Sequence, residues 1–345
     1  MADTLGMAAQ LAGNAVRFGW YSGVNWLMSR EARRHNPPPR YRPERPVPSD
    51  AELTADLRKL FFDDAEAVRK GLYPPAEPGV SLVRHMADLR KMFSDLPSTV
   101  QRRQSEETHS AAAQPGAADL PEYYTQDFHF QTGGYLSGDS ARLYDVQVET
   151  LFYGSAGPMR RVGLKPIAEF MLGRDQRANE LLDVACGTGR FLRDIRLAYP
   201  AMRLKGLDLS PAYLREAERH LSDLRPATFI AGNAEAIPLA DKSQDIVTSV
   251  FLYHELPGEV RRRVTAEIAR VLKPGGLFVF IDSLQMGDRP GWDGLLEAFP
   301  ERFHEPYYAH YAVDDLNGMF ESAGLDVQET QHAFLSKVVA LTKRG

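Results

Sequence analysis

Leu5, Ala8, Leu11, Ala12, Val16, Trp20, Val24 and Leu27 recur at steps of three and four, which predicts an amphipathic helix over residues 1–30. Glycines at 6, 13, 19 and 23 weaken that helix, because glycine gives up most backbone freedom on becoming helical. Ser49-Asp50 forms an N-cap for a second helix reaching about Lys70, with Leu53, Leu57, Leu60 and Phe61 on one face and Gly71 and Pro74-Pro75 ending it. Leu82, Met86, Leu89 and Phe93 set a third helix from about Val80 to Phe93. Between these, Pro37-Pro38-Pro39 through Pro48 reads as a stiff extended linker, and the Ser-, Ala-, Gln- and Gly-rich stretch 105–119 as a flexible one. From Pro121 aromatics take over, with Tyr123, Tyr124, Phe128, Phe130 and Tyr135, and helices are expected over about 140–152 and 163–172.

Near residue 180 the helical period gives way to short, continuous apolar runs separated by amphipathic stretches. Residues 181–185, 204–207, 228–230, 246–250 and 277–281 read as strands, and 191–198, a stretch opened by Ser210-Pro211, and 259–272 as helices. Strands alternating with helices predict an α/β, doubly wound sheet whose ligand sits at the carboxyl ends of the strands. That rim gathers the turn Gly187-Thr188-Gly189, the carboxylate of Asp208 at the end of the second strand, Gly232-Asn233-Ala234 after the third and residues 249–255 after the fourth. A glycine turn followed by an acid about twenty residues on suits a ribose. Leu192 stands where a dinucleotide loop needs its third glycine, and Arg190-Phe191 replaces the Lys-Ser/Thr of a P-loop, so a nucleoside without phosphates fits better.

These residues resemble the class I S-adenosylmethionine-dependent methyltransferases, in the subgroup of the quinone-biosynthesis C-methyltransferases and their small-molecule relatives, over about residues 160–345. The resemblance rests on Leu181–Gly189, Gly206-Leu207-Asp208-Leu209-Ser210, Gly232–Leu239 with Ser243-Gln244-Asp245-Ile246-Val247, and Arg270–Gly276, in order and at the usual spacing. It implies a Rossmann-like seven-stranded sheet with an antiparallel last strand, here a hairpin of 325–331 and 334–341, and S-adenosylmethionine as cofactor. It also implies a cofactor site of Asp183, Ala185, Gly187, Gly189, Asp208, Leu209, Asn233, Ala234, Ser249 and Val250. Gly187 and Gly189 would border the methionine part, with Asp183 holding the turn or the amino group. Asp208 would bind the ribose hydroxyls and Leu209 would lie on the adenine. Asn233 and Ala234 would reach the adenine edge, and Ser249 and Val250 would offer carbonyls to the amino group. Residues 1–120 lie outside the resemblance and are expected to be a helical accessory region, followed by an aromatic covering segment at 121–162 and the methyltransferase domain at 163–345.

A sulfonium methyl needs an acceptor placed in line and shielded from water, and a base only where the acceptor must lose a proton. His254, flanked by Tyr253 and Glu255 after the fourth strand, is the candidate base, or else a closing residue of the pocket. His304, Tyr307 and Tyr308, in an aromatic stretch before the last helix, are candidates for the acceptor pocket, or for a packing lid. Val250-Phe251-Leu252-Tyr253 replaces the Asn/Asp-Pro-Pro-aromatic run of the nucleic-acid amino-methyltransferases, and the net charge of −5 offers no bulk attraction to phosphates, so no nucleic acid is expected as a partner. No metal site is evident. One cysteine, Cys186, in 345 residues supports no disulfide framework and points to a reducing, cytoplasmic setting. No transmembrane helix or signal peptide is expected, while Trp20, Tyr21 and Trp26 beside the arginines at 30–45 suit the inner face of an anionic membrane. The expected activity is methyl transfer to a small aromatic or lipid-like acceptor. A protein or peptide methyltransferase, or a cofactor-binding scaffold without activity, are the alternatives.

Overall fold

The computed structural model describes residues 3–35, 41–77, 81–105, 108–114, 116–130 and 133–345. The proline run at 37–39, Arg40 and Val80 lie outside the described residues. Helices α1 (Thr4–Ala32), α2 (Asp50–Arg69), α3 (Leu82–Ser105), α4 (Gly138–Leu151), α5 (Ala156–Arg161) and α6 (Leu164–Phe170) precede the sheet. The alternating part follows as β1 (Glu180–Val184), α7 (Arg190–Ala198), β2 (Arg203–Asp208), α8 (Pro211–His220), β3 (Thr228–Ala231), β4 (Gln244–Val250), α9 (Gly258–Val271) and β5 (Leu272–Ser283). Then come α10 (Asp293–Arg302), α11 (Tyr308–Tyr311), α12 (Leu316–Ser322), β6 (Leu325–Ala333) and β7 (Ser336–Lys343).

The seven strands form one sheet in the order β3-β2-β1-β4-β5-β7-β6, parallel except for β7, which runs antiparallel to both β5 and β6. Helices cover both faces, which is why Leu181, Leu182 and Val184 of β1 are all buried although they point to both sides of the sheet. The chain winds outward through β2 and β3, then returns to lay β4 on the other side of β1. That reversal opens a crevice at the carboxyl ends of β1 and β4. Gly206 in β2 belongs to this packing, since a Cβ there would stand 2.8 Å from Cys186 Sγ and 2.9 Å from Leu192 Cδ1. Cys186 is thus a small buried packing residue at the strand-to-helix turn.

The N-terminal helices share the core of the sheet. Ser49 and Glu52 close a reciprocal capping box at the start of α2. The inward face of α2, with Leu57, Leu60, Phe61 and Val68, joins one apolar cluster with Phe191, Ile281, Trp292, Phe334 and Val338. Ahead of it, Glu297 on α10 accepts hydrogen bonds from Tyr41 Oη (2.7 Å) and from the backbone of Glu44 and Arg45 (2.9 and 3.0 Å), and Pro46 O accepts from Gly294 N (2.8 Å). α3 continues twelve residues past its expected end because Leu96 and Val100 extend its buried stripe, although Pro97 lies inside it. The described parts of the expected flexible linker beyond it are short 3-10 turns at Ser110–Ala113 and Ala117–Asp119.

α1 corrects the periodicity argument. At about 100° per residue, Leu5, Val16, Trp20 and Leu27 share one arc of about 60°, and that arc faces solvent. The buried side is Gly6, Gln10, Asn14, Tyr21 and Val24. The reason is electrostatic. Asp64 of α2 is buried, and Gln10 Nε2 (2.7 Å) and Asn14 Nδ2 (3.0 Å) donate to it, as does Arg161 of α5 through both Nε (2.9 Å) and Nη2 (2.8 Å). A buried carboxylate needs donors, so the polar residues of α1 turn inward and its apolar stripe turns out.

Candidate active site

The crevice starts at the β1–α7 turn. Ala185 and Gly187 take positive φ (56° and 54°), which carries the backbone around the strand end, and Gly187 N donates to Asp208 Oδ2 at 2.8 Å. Ser210 N donates to the other oxygen at 2.8 Å. Burial raises the Asp208 carboxyl to about 6 against these backbone donors, and its outer face remains turned to the cleft. The cleft, about 810 Å³, is lined by Ala185, Gly187, Asp208, Leu209, Asn233, Ala234 and Val250, all expected from the sequence.

Three expected cofactor residues stand outside its lining. Asp183 accepts from Thr248 Oγ1 at 2.6 Å and ties β1 to β4 within the sheet, where burial raises its carboxyl to about 7. Gly189 caps α7 at φ 73°, with α8 so close that a Cβ would stand 2.9 Å from that of Ala217. Ser249 is buried inside β4. Alternation along a strand sends neighbouring residues to opposite faces, which motif matching alone does not resolve.

An aromatic roof, only partly anticipated, closes the cleft: Tyr123, Tyr124, Phe128, Tyr135, Tyr144 and Tyr213. Phe128 stacks on Tyr135 at 5.2 Å, and Tyr213 meets Tyr135 edge-on at 5.6 Å. Ser210 Oγ donates to Tyr135 O (2.9 Å), fixing the roof to the end of β2. α4 is anchored on the glycine turn through Asp145, which accepts from Thr188 Oγ1 and Arg190 Nε, both at 2.7 Å.

Beyond β4, Phe251 has φ 55° and the chain turns through Tyr253–Glu255. The candidate triplet divides there. Tyr253 is fully buried in the opposite direction, its hydroxyl 2.9 Å from Thr265 Oγ1 and its ring against Phe280, so it cannot touch an acceptor. His254 Nδ1 lies 2.5 Å from Asp282 Oδ1 at the end of β5, which leaves Nε2 to point towards Glu255, 3.9 Å away. Burial disfavours the imidazolium, yet the Asp282 carboxylate outweighs it and lifts His254 to about 9. Glu255 accepts from Tyr135 Oη at 2.6 Å, and burial raises its carboxyl.

A second cavity of about 710 Å³ adjoins the first; Tyr144, Phe251 and Glu255 line both. Its walls are largely apolar, including Val148, Leu151, Phe152, Met159, Leu296 and Phe299, with His254, His129 and Ser283 as polar points. Tyr308 lines it, its hydroxyl 2.6 Å from Ser283 Oγ. His304 and Tyr307 do not: His304 Nε2 sits 3.3 Å from Gln126 Oε1, and Tyr307 packs on the cluster of Phe128, Tyr135 and Tyr213. His304 and Tyr307 lie in the segment between α10 and α11, and Tyr308 opens α11, so neighbours in sequence enter different surroundings. Asp282, His129 and Glu305 escaped the sequence reading. Asp282 had a usable signal, since like Asp208 it is an acid at the carboxyl end of a parallel strand.

Residues 181–276 match the family described as Methyltransferase domain. The chain is 33% identical over 165 residues to the ubiquinone/menaquinone biosynthesis C-methyltransferase UbiE of Methylobacterium nodulans, covering 47% of this chain and 63% of that protein. It is 34% identical over 129 residues to the phthiotriol/phenolphthiotriol dimycocerosates methyltransferase of Mycobacterium tuberculosis, covering 37% of this chain and 46% of that one. The chain thus spans about half to under two thirds of the length of these relatives. A solved SAM dependent methyltransferase from Aquifex aeolicus superposes with a TM-score of 0.39 at 19% identity, over 53% of this chain and 92% of that one.

Proposed function

We propose that this chain, which carries a methyltransferase domain at residues 181–276, is an S-adenosylmethionine-dependent methyltransferase acting on a small aromatic or lipid-like acceptor. The observation that carries the reading is the make-up of the cleft: two carboxylates, Asp208 and Glu255, under tyrosine faces, with no lysine or arginine in its lining. A polyphosphate finds no counter-charge there, whereas a cationic nucleoside finds acceptors and aromatic faces. In this reading Asp208 accepts from two ribose hydroxyls, Leu209 and Leu256 flank the base, and Asn233 meets its edge; all four line the cleft. The cofactor supplies an electrophilic methyl group. The protein's part is to hold an acceptor in the adjoining apolar cavity, aim it through the Tyr144–Phe251–Glu255 wall and keep water out. The two relatives, named for ubiquinone/menaquinone biosynthesis and for phthiotriol dimycocerosates, support an apolar acceptor.

The test uses the full chain, methyl-labelled S-adenosylmethionine and an extract of the source cells. Label should enter the lipid or small-molecule fraction. Label in protein or nucleic acid would replace this reading with a macromolecular substrate, and cofactor binding without labelling of any fraction would favour a scaffold.

The outward stripe of α1, followed by Arg30, Arg33 and Arg34, supports a second element: residues 1–45 rest on an anionic lipid surface, from which an apolar acceptor is drawn. No helix among the described residues is long and apolar enough to cross a membrane. The chain should co-sediment with anionic vesicles. Val16→Asp with Leu27→Glu, both at exposed positions, should abolish co-sedimentation without altering the melting temperature; unchanged sedimentation would exclude this surface.

A further inference from the structure

Three segments far apart in sequence converge at the wall between the two cavities. His129 comes from a 3-10 turn, where φ 55° swings it inward. Glu255 ends the turn after β4, and Glu305 follows α10. One ligand-capable atom of each lies within 4.8 Å of the others, and His129 Nε2 is 3.0 Å from Glu305 Oε1. A separate observation concerns Glu305 alone. Its side chain is wholly buried, and neither carboxylate oxygen accepts a hydrogen bond. A carboxylate stripped of water and left without donors is among the costliest groups a protein can bury, and here it lies beside a second carboxylate.

We propose that His129, Glu255 and Glu305 form a binding site for one divalent first-row transition cation. One imidazole nitrogen with two carboxylate oxygens is a mixed donor set, suited to manganese, iron or zinc rather than to calcium or magnesium, which favour oxygen alone. The cation adds positive charge beside two carboxylates that otherwise share the His254 ring, 3.9 Å from Glu255 and itself paired with Asp282. Three protein ligands leave coordination positions for water or for an oxygen of a molecule in the apolar cavity, which His129 and Glu255 both line. The competing arrangement is a proton on Glu305, or one shared with Glu255, which would relieve the repulsion without metal.

Metal binding does not depend on the methyl-transfer reading and is measured without it. The full chain is stripped with a chelator, equilibrated with Mn²⁺ or Zn²⁺ alone, desalted and assayed for metal, with affinity taken from calorimetry. One equivalent per chain should be retained. Glu305→Gln and His129→Ala should each weaken binding by more than about 100-fold, beyond what loss of an outer-shell partner costs. Glu305→Gln preserves shape, so its melting temperature in chelator should equal or exceed that of the wild type. No retention by the wild-type chain, or equal retention by both variants, overturns the site in favour of the buried proton. Cofactor affinity read on the same samples keeps the two proposals separate: metal lost with cofactor binding intact condemns only the site, and the converse only the methyltransferase reading.

Discussion

Asp208→Ala should lower the affinity for S-adenosylmethionine by about 10²–10⁴-fold in calorimetry, because two hydrogen bonds to a charged group contribute about 1.5–3 kcal/mol each. The same change leaves the Gly187 and Ser210 amides without their acceptor, so the glycine turn loses its tether as well. Asp208→Asn separates the two effects: it keeps the bulk while removing the charge. The pH profile gives an independent signature. Burial raises Asp208 to about 6, and Tyr124, Asp183, Cys186, Tyr213 and Glu255 are titratable groups around it. On the proposed binding mode, only the ionised form would accept from both ribose hydroxyls. Affinity should therefore be level above neutrality and fall as pH drops through 6, by at most about tenfold per unit, and the acid limb should vanish in Asp208→Asn. Affinity unchanged in both variants would remove Asp208 from the cofactor site.

The largest stability effect is expected at Asp64 and Arg161. Both are buried, they pair through two hydrogen bonds, and Tyr73 Oη at 3.0 Å donates to Asp64 besides Gln10 and Asn14. Removing one partner of such a pair leaves an uncompensated charge and costs about 3–5 kcal/mol. Asp64→Ala or Arg161→Leu should lose that much in urea denaturation, whereas Asp64→Leu with Arg161→Leu should recover much of it. A loss under 1 kcal/mol in either single variant, on the order of an exposed pair, would show that water reaches the site. The network orients α1 as well as α2, and Arg17 of α1 pairs with Glu149 on α4, the helix over the glycine turn. Cofactor affinity should therefore fall in the single variants, although neither residue lines the cleft.

The strands and glycine turn of residues 180–281 were legible because buried parallel strands and tight turns are written in contiguous residues. Asp208 and Asn233 were picked out by their places at strand ends and Leu209 by the family resemblance, and all three line the cleft. What stayed hidden depends on direction. The 3.6-residue period of α1 identified an apolar stripe but not which side of the helix would be buried, since Asp64 decides that from fifty residues away. Tyr253, His254 and Glu255 are adjacent in sequence, yet one enters the core, one binds Asp282 and one reaches the cleft. His129 and Glu305 meet only through the packing of two irregular segments, for which local sequence carries no period.

The shared core of α2 and the sheet also sets a timetable. Val68 and Tyr73 leave the ribosome about 260 residues ahead of Phe334 and Val338, with which they share an apolar cluster. At roughly 5–20 residues per second the interval is on the order of 15–50 s. Until Phe334 and Val338 emerge, the inward face of α2 lacks the part of its native cover that these two residues supply.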